Sequence, residues 1–195
     1  GIAVAMSEDD TIAFHVEDTL KAGVGLCDET AVRVMVEEGI QRVTEMIQWG
    51  ANFDKEGDEL GFTMEAAHQR RRIIHRGDAT GKETTEVLVN HLKKQERVLL
   101  IEHAFAIDFM TQVEPGETPR NGNDTCYGVV ALIENTLCCI FAKATILAAG
   151  GLGRVYQCTS NPEVATGDGY AAAWRAGCEM MDMEFVQFHP TTLFL

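Results

Sequence analysis

The clearest hydrophobic pattern lies between 28 and 50. Val32, Val36, Ile40, Val43 and Ile47 recur at helical spacing, the stripe of a long amphipathic helix. Asp28 stands at its N-cap position and Gly50 where it should end. An acidic, glycine-containing loop continues through Gly61, and Arg70-Arg71-Arg72 then leads into Ile73 and Ile74. The spacing predicts a second helix over 84–96, with Leu88 and Leu92 on one face and Val87 and His91 beside it. Beyond it the period shortens. Residues 98–101 read as a short apolar strand, and 104–113, 127–133 and 137–142 as three more. Pro115, Gly116, Pro119, Asn121, Gly122 and Asn123 fill the first turn, and Glu134-Asn135 the next, which gives an antiparallel meander. Residues 144–149 are almost wholly apolar and suit a buried parallel strand, ending at Gly150-Gly151. Thr166-Gly167-Asp168-Gly169 opens an alanine-rich helix, with Asp168 as its cap and an end near Gly177. The expected fold class is therefore α/β, with a parallel sheet and an antiparallel β-meander.

Composition narrows the function. Apolar residues are 46% and charged residues 24% of the 195, which supplies an ordinary core for one domain or a piece of something larger. Acidic residues outnumber basic ones 30 to 16, and a net charge of −14 argues against nucleic acid or an anionic membrane as the main partner. The six cysteines form no CxxC pair, so reduced thiols of a cytoplasmic protein are expected, without a metal site. Cys138 and Cys139 are vicinal, but on an alternating strand they point to opposite faces. No run is long enough for a membrane span and no signal-peptide pattern opens the chain. The chain begins Gly1-Ile2-Ala3 without a methionine, as an interior fragment or a processed chain does.

Five features carry candidate chemistry. His189 precedes Pro190, so it should project from extended backbone, either toward a ligand or into the core as a satisfied histidine. Gly150-Gly151-Leu152-Gly153 follows a predicted buried strand and would let backbone approach a phosphate or a ring, although Tyr156 stands where a full dinucleotide fingerprint needs a small residue. A plain strand-to-loop turn explains the same glycines. Asp168 is a helix cap or a partner for a cofactor hydroxyl. Glu65 is a contact for a cationic substrate group or a solvated acid near Arg70 and Arg71. The triple arginine is an anion clamp or a salt-bridged surface strip. Gly23-Val24-Gly25 follows no strand and is discounted.

Taken in order, these segments resemble a flavoprotein family. Ala148 to Gly151, Thr166 to Gly169 and Met183 to Thr191 match the family of succinate dehydrogenase and fumarate reductase flavin subunits. Three further stretches resemble its L-aspartate oxidase branch: His15 to Leu20 with Gly23 to Asp28, Arg70 to Gly81, and Ala173 to Cys178. The resemblance implies the centre of an FAD-binding Rossmann-like domain over 1–195, with the N-terminal βαβ unit and the capping domain absent.

By resemblance, Gly1 lies against the flavin, Phe105 and Ala106 meet the adenine end of FAD, and Gly150, Gly151 and Asp168 contact the cofactor. Glu65 faces the substrate's α-amino group and His189 holds a substrate carboxylate. Where the family commonly has Gly-Gly after that glutamate, Ala66-Ala67 stand here. The implied activity is oxidation of L-aspartate to iminoaspartate, with reoxidation by O2 or fumarate. That would be the first step of quinolinate and NAD biosynthesis, with a quinolinate synthase in the same pathway as a partner. A soluble fumarate reductase or succinate dehydrogenase flavoprotein is the second reading, and an inactive fragment of such a flavoprotein the third.

Overall fold

The computed structural model describes residues 1–112 and 125–188. The chain divides into two units, Gly1–Leu100 and Ile101–Leu195.

The first unit is built on two helices. α1 (Ile12–Ala22) begins at Thr11, whose hydroxyl accepts the Phe14 N–H at 3.2 Å. α2 (Glu29–Gln48) begins at Asp28, whose carboxylate accepts the Ala31 N–H at 2.9 Å, as its sequence position predicts. The predicted stripe of α2 divides between two clusters. Val32 and Val36 pack with Val16 of α1, whereas Val43, with Ile40 and Ile47 partly buried, packs with Val4, Ala51, Phe53, Ile74 and Val87. α1 has no counterpart in the sequence reading, because few of its buried positions are aliphatic. His15, Val16 and Asp18 are the buried ones.

The strands of this unit are short. β1 (Ile2–Ala3) pairs antiparallel with β4 (Ile73–Ile74), Ile2 opposite Ile74. Thr63 bridges the other side of Ile73. The acidic loop contains a small hairpin, β2 (Lys55–Glu56) with β3 (Glu59–Leu60). α3 spans Thr80–Leu92 and not 84–96. Its start is tied early, because the Thr80 hydroxyl accepts the Arg76 N–H at 3.0 Å and Glu83 reaches across to the Asn52 N–H at 2.8 Å. Its inward side is Val87. Leu88 and Leu92, which share one face by their spacing, are each 41% exposed.

The second unit contains the meander. β5 (Ala104–Met110), β6 (Gly128–Ile133) and β7 (Thr136–Phe141) form one antiparallel sheet in that order. Ile133 faces Thr136 across Glu134-Asn135, both at positive φ (48° and 62°), as a tight primed turn requires. Cys138 is partly buried and Cys139 exposed, in keeping with their alternation. α4 (Asp168–Arg175) docks on β5 through Arg175, which bonds Asp108 at 2.8 Å and the Ile107 carbonyl at 3.1 Å.

Two strand expectations fail. Residues 98–101 and 144–149 join no ladder, and Leu99 and Ile146 are 82% and 91% exposed. Burial of an apolar strand requires a neighbouring strand to take up its N–H and C=O groups, and among the described residues no strand pairs with either run. The parallel pairing expected of 144–149 is thus not seen; every ladder between the described strands is antiparallel.

Candidate functional site

In the first unit, one cluster forms around β4. His75 lies two residues beyond Ile73, so strand alternation places the two on one face. The His75 ring lies against Gly1: a Cβ there would meet its Cε1 at 2.6 Å. Its Nε2 is 2.7 Å from the Thr63 hydroxyl and 3.5 Å from Glu65 Oε1. Glu65 and Gly1, both named from sequence, therefore share one partner. Glu65 remains about half exposed, free to meet a further group.

The loop that carries Glu65 turns through Ala67 at φ 69°. This is the left-handed region, which costs a non-glycine residue about 1–2 kcal/mol. Gly-Gly suits such a turn, and Ala66-Ala67 accept the strain. The following residues anchor the loop. Gln69 donates its backbone N–H and its side-chain amide to Asp18, at 3.0 and 2.8 Å.

The three arginines that follow have three separate environments, neither a surface strip nor an anion clamp. Arg70 lies over the Phe14 ring, 4.8 Å from its centroid, and donates to the Asp9 carbonyl at 3.1 Å. Arg71 is exposed at a cleft that Glu8, Asp9, Glu56 and Glu59 also line. Arg72 is fully buried. It makes a bidentate pair with Asp10, both bonds 2.8 Å, and a third bond of 2.8 Å to Asp18. Its Nη1 also reaches His68 Nδ1 at 3.3 Å. A run of three like charges reads as solvated from sequence, because its carboxylate partners lie more than 50 residues away.

Burial alone would raise the Asp18 carboxyl. The hydrogen bonds from Gln69 and the charge and hydrogen bond of Arg72 outweigh it and hold Asp18 below the usual carboxylate range. His15 is displaced in the same direction. Burial disfavours its cation, the charges of Arg72 and His68 add to this, and Asp10 and Asp18 oppose it. Its Nδ1 is buried without a hydrogen-bond partner. Both groups are depressed in the folded state, so unfolding takes up protons and acid destabilises. The His15 contribution should be complete above the ordinary histidine value of 6.5 and be lost as pH falls below it. The Asp18 contribution should persist until pH falls below 3.8. Melting temperature against pH should therefore decline in two steps, and His15→Leu should abolish the upper one. A single step below pH ~4 in the unsubstituted protein would contradict the role of His15.

In the second unit, 147–150, Gly169, Tyr170 and Ala173 of α4, and Met180 and Met183 border a cleft of about 400 Å³. Gly150 has φ 71°, and no atom lies within 4 Å of where a Cβ on Gly150 or Gly151 would stand. Bare backbone with open space beside it is a seat that a planar ring or a phosphate can approach closely. Gly169 has the opposite role. A Cβ there would lie 2.6 Å from the Ala149 Cβ, so α4 packs on this segment at near-backbone distance.

Asp168 is not the cap. Gly167, at φ 82°, holds that position, because only a left-handed turn brings the chain into α4 here. Asp168 is the first helical residue, exposed, and accepts the Thr166 hydroxyl. Phe105 and Ala106 lie exposed on β5, the edge strand to which Arg175 ties α4. An open glycine turn, a largely apolar cleft and an exposed carboxylate in a first helical turn suit a dinucleotide with a ring system and ribose hydroxyls, so these residues fit FAD. His189 lies outside the described residues. Among the described residues no group of acids, cysteines and histidines is arranged for a metal, and no helix is long and apolar enough to cross a membrane.

Sequence reasoning missed His75, Asp10 and Asp18, and it noticed Arg72 only as part of the arginine run, not as a buried cation. The alternation of Ile73 and His75 carried the signal for the first; nothing local marked Asp10 or Asp18 as partners of Arg72.

The chain is similar to known proteins along nearly its whole length. The chain is 44% identical over 199 residues to L-aspartate oxidase 1 of Ralstonia nicotianae, covering 100% of this chain and 37% of that protein. It is 39% identical over 193 residues to L-aspartate oxidase of a Nostoc species, covering 99% of this chain and 32% of that protein. It thus spans about a third of the length of these curated relatives. Among solved structures, a point variant of Escherichia coli quinol fumarate reductase is similar, with a TM-score of 0.89 and 29% identity over 99% of this chain and 32% of that one. Sdh1 of Mycobacterium smegmatis gives a TM-score of 0.76 and 25% identity over 90% of this chain and 31% of that one. A family described as the FAD binding domain matches residues 1–195, and with that match across its whole length the chain belongs to the FAD-binding domain family of flavoproteins.

Proposed function

We propose that the protein carrying this chain is an L-aspartate oxidase, which converts L-aspartate to iminoaspartate. The observation that carries this reading is the position of Glu65. It is half exposed beside His75, whose ring packs on Gly1, on a loop anchored through Gln69 to Asp18, in a chain 39–44% identical to L-aspartate oxidases. FAD, when bound, would supply the acceptor for the hydride on the substrate Cα, with O2 or fumarate as the terminal oxidant.

The residues of this chain bind and orient. Glu65 receives the substrate ammonium, and His189 donates to a substrate carboxylate oxygen. Gly1 lies at the ring. Phe105, Ala106, Gly150, Gly151 and Asp168 hold the cofactor. Fixing both carboxylates and the amine aims the Cα–H, which is most of what a hydride transfer asks of the protein. The domain over 1–195 is the central part of a longer FAD-binding fold. The iminoaspartate formed would feed quinolinate and NAD synthesis, in the cytoplasm, with quinolinate synthase acting next.

The similarity to fumarate reductase supports a second reading, a flavoprotein acting on dicarboxylates without an amine. Anaerobic mixing of the purified holoenzyme with each substrate separates the two. L-aspartate should bleach the oxidised flavin absorbance, and succinate should leave it unchanged. Bleaching by succinate alone would favour the second reading.

A further inference from the structure

The geometry points to His75 as the positioning residue of Glu65, an imidazole that ties one carboxylate oxygen and leaves the other for the ammonium of an amino dicarboxylate. It rests on the reading of Glu65 above and deepens it.

Three contacts fix the His75 ring. It directly follows β4, where Ile73 is paired on both sides, with Ala3 and with Thr63. Gly1 leaves no room beside it, since a Cβ would lie 2.6 Å from Cε1 and 3.0 Å from Nδ1. The Thr63 hydroxyl lies 2.7 Å from Nε2.

The proton on that nitrogen follows from its neighbours. Glu65 Oε1 also faces Nε2, at 3.5 Å, and a carboxylate oxygen only accepts. A lone pair on Nε2 would oppose it. The Thr63 hydroxyl has an acceptor of its own, the Ile73 carbonyl at 3.4 Å, and so can receive the His75 N–H on its oxygen. The N–H then points at Thr63, and Glu65 Oε1 stands beside it at 3.5 Å, within ion-pair reach of the ring.

Glu65 itself needs such a tether. Its loop turns through Ala67 at φ 69°, and its side chain is 54% exposed. An untethered carboxylate must be ordered when substrate arrives, and ordering one flexible side chain weakens binding by roughly three- to tenfold. A substrate with an amine draws on this arrangement, whereas fumarate has nothing to offer Glu65. His75 therefore contributes to selectivity for an amino dicarboxylate.

The holoenzyme tests this through the ratio of kcat/KM for aspartate oxidation to kcat/KM for fumarate reduction. His75→Asn keeps a polar amide too short to reach Glu65. It should lower the ratio roughly tenfold, mainly by raising KM for aspartate. His75→Gln, with a longer donor, should restore most of the ratio. In a Glu65→Gln background, His75→Asn should change the ratio little. An unchanged ratio in His75→Asn would overturn the role, as would equal losses in both reactions or a fall that persists without Glu65. An unsubstituted holoenzyme that does not oxidise aspartate overturns the functional reading and this role with it. An active one with an unchanged ratio overturns His75 alone.

Discussion

Glu65→Gln in the holoenzyme is expected to reduce aspartate oxidation by about 2–4 kcal/mol of transition-state stabilisation and fumarate reduction by distinctly less. Glutamine has nearly the same shape, so loop packing and the approach to His75 are conserved while the charge is lost. The substrate ammonium then lacks its counter-ion in a site that must exclude water. Fumarate brings no ammonium and has less to lose. Steady-state kcat/KM for both reactions measures the difference. Equal losses would show that Glu65 supports the site as a whole and does not meet the amine.

The second large effect concerns stability. Arg72→Met should destabilise the first unit by about 3–5 kcal/mol, because Asp10 and Asp18 would be left buried without their cation. The Asp10 side chain is 0% exposed and that of Asp18 is 6%, so water cannot replace the guanidinium without opening the cluster. Lysine should not rescue it, since one ammonium cannot reproduce the bidentate pair with Asp10 together with the bond to Asp18. The triple substitution Arg72→Met, Asp10→Leu, Asp18→Leu should recover much of the loss by removing every charge at once. Denaturant unfolding of the three proteins tests this. A loss below ~1 kcal/mol in Arg72→Met would mean that the two carboxylates find water. Because Asp18 also holds Gln69, the Glu65 loop should loosen with it, so aspartate KM should rise before global unfolding.

The elements legible in the sequence are those whose signals are local. The stripe of α2 with its Asp28 cap, the turn at Glu134-Asn135 and the three meander strands all depend on neighbours within a few residues. The end of α4 near Gly177 was legible for the same reason, since a glycine at φ 82° closes a helix by itself. α1 was hidden because its buried face includes the polar His15 and Asp18, and the partners of Asp18, Arg72 and Gln69, lie far along the chain. Asp168 misled because an aspartate before a helix looks like a cap whether or not a left-handed glycine precedes it.

The chain alone also determined its chemical class. Ala148 to Gly151, Thr166 to Gly169 and Met183 to Thr191 carried the resemblance to the flavoprotein family, and His15 to Leu20 with Gly23 to Asp28, Arg70 to Gly81 and Ala173 to Cys178 the resemblance to its branch. Tertiary structure decided what those residues touch. It buried Arg72 between two carboxylates, and it brought His75 to Gly1 and Glu65 together. It also left 144–149 without a ladder. The physical reason is the same throughout: propensity, capping and turn geometry are properties of adjacent residues, whereas the burial of a charge, the sharing of a proton and the pairing of a strand depend on groups that only the folded chain brings within a few ångströms.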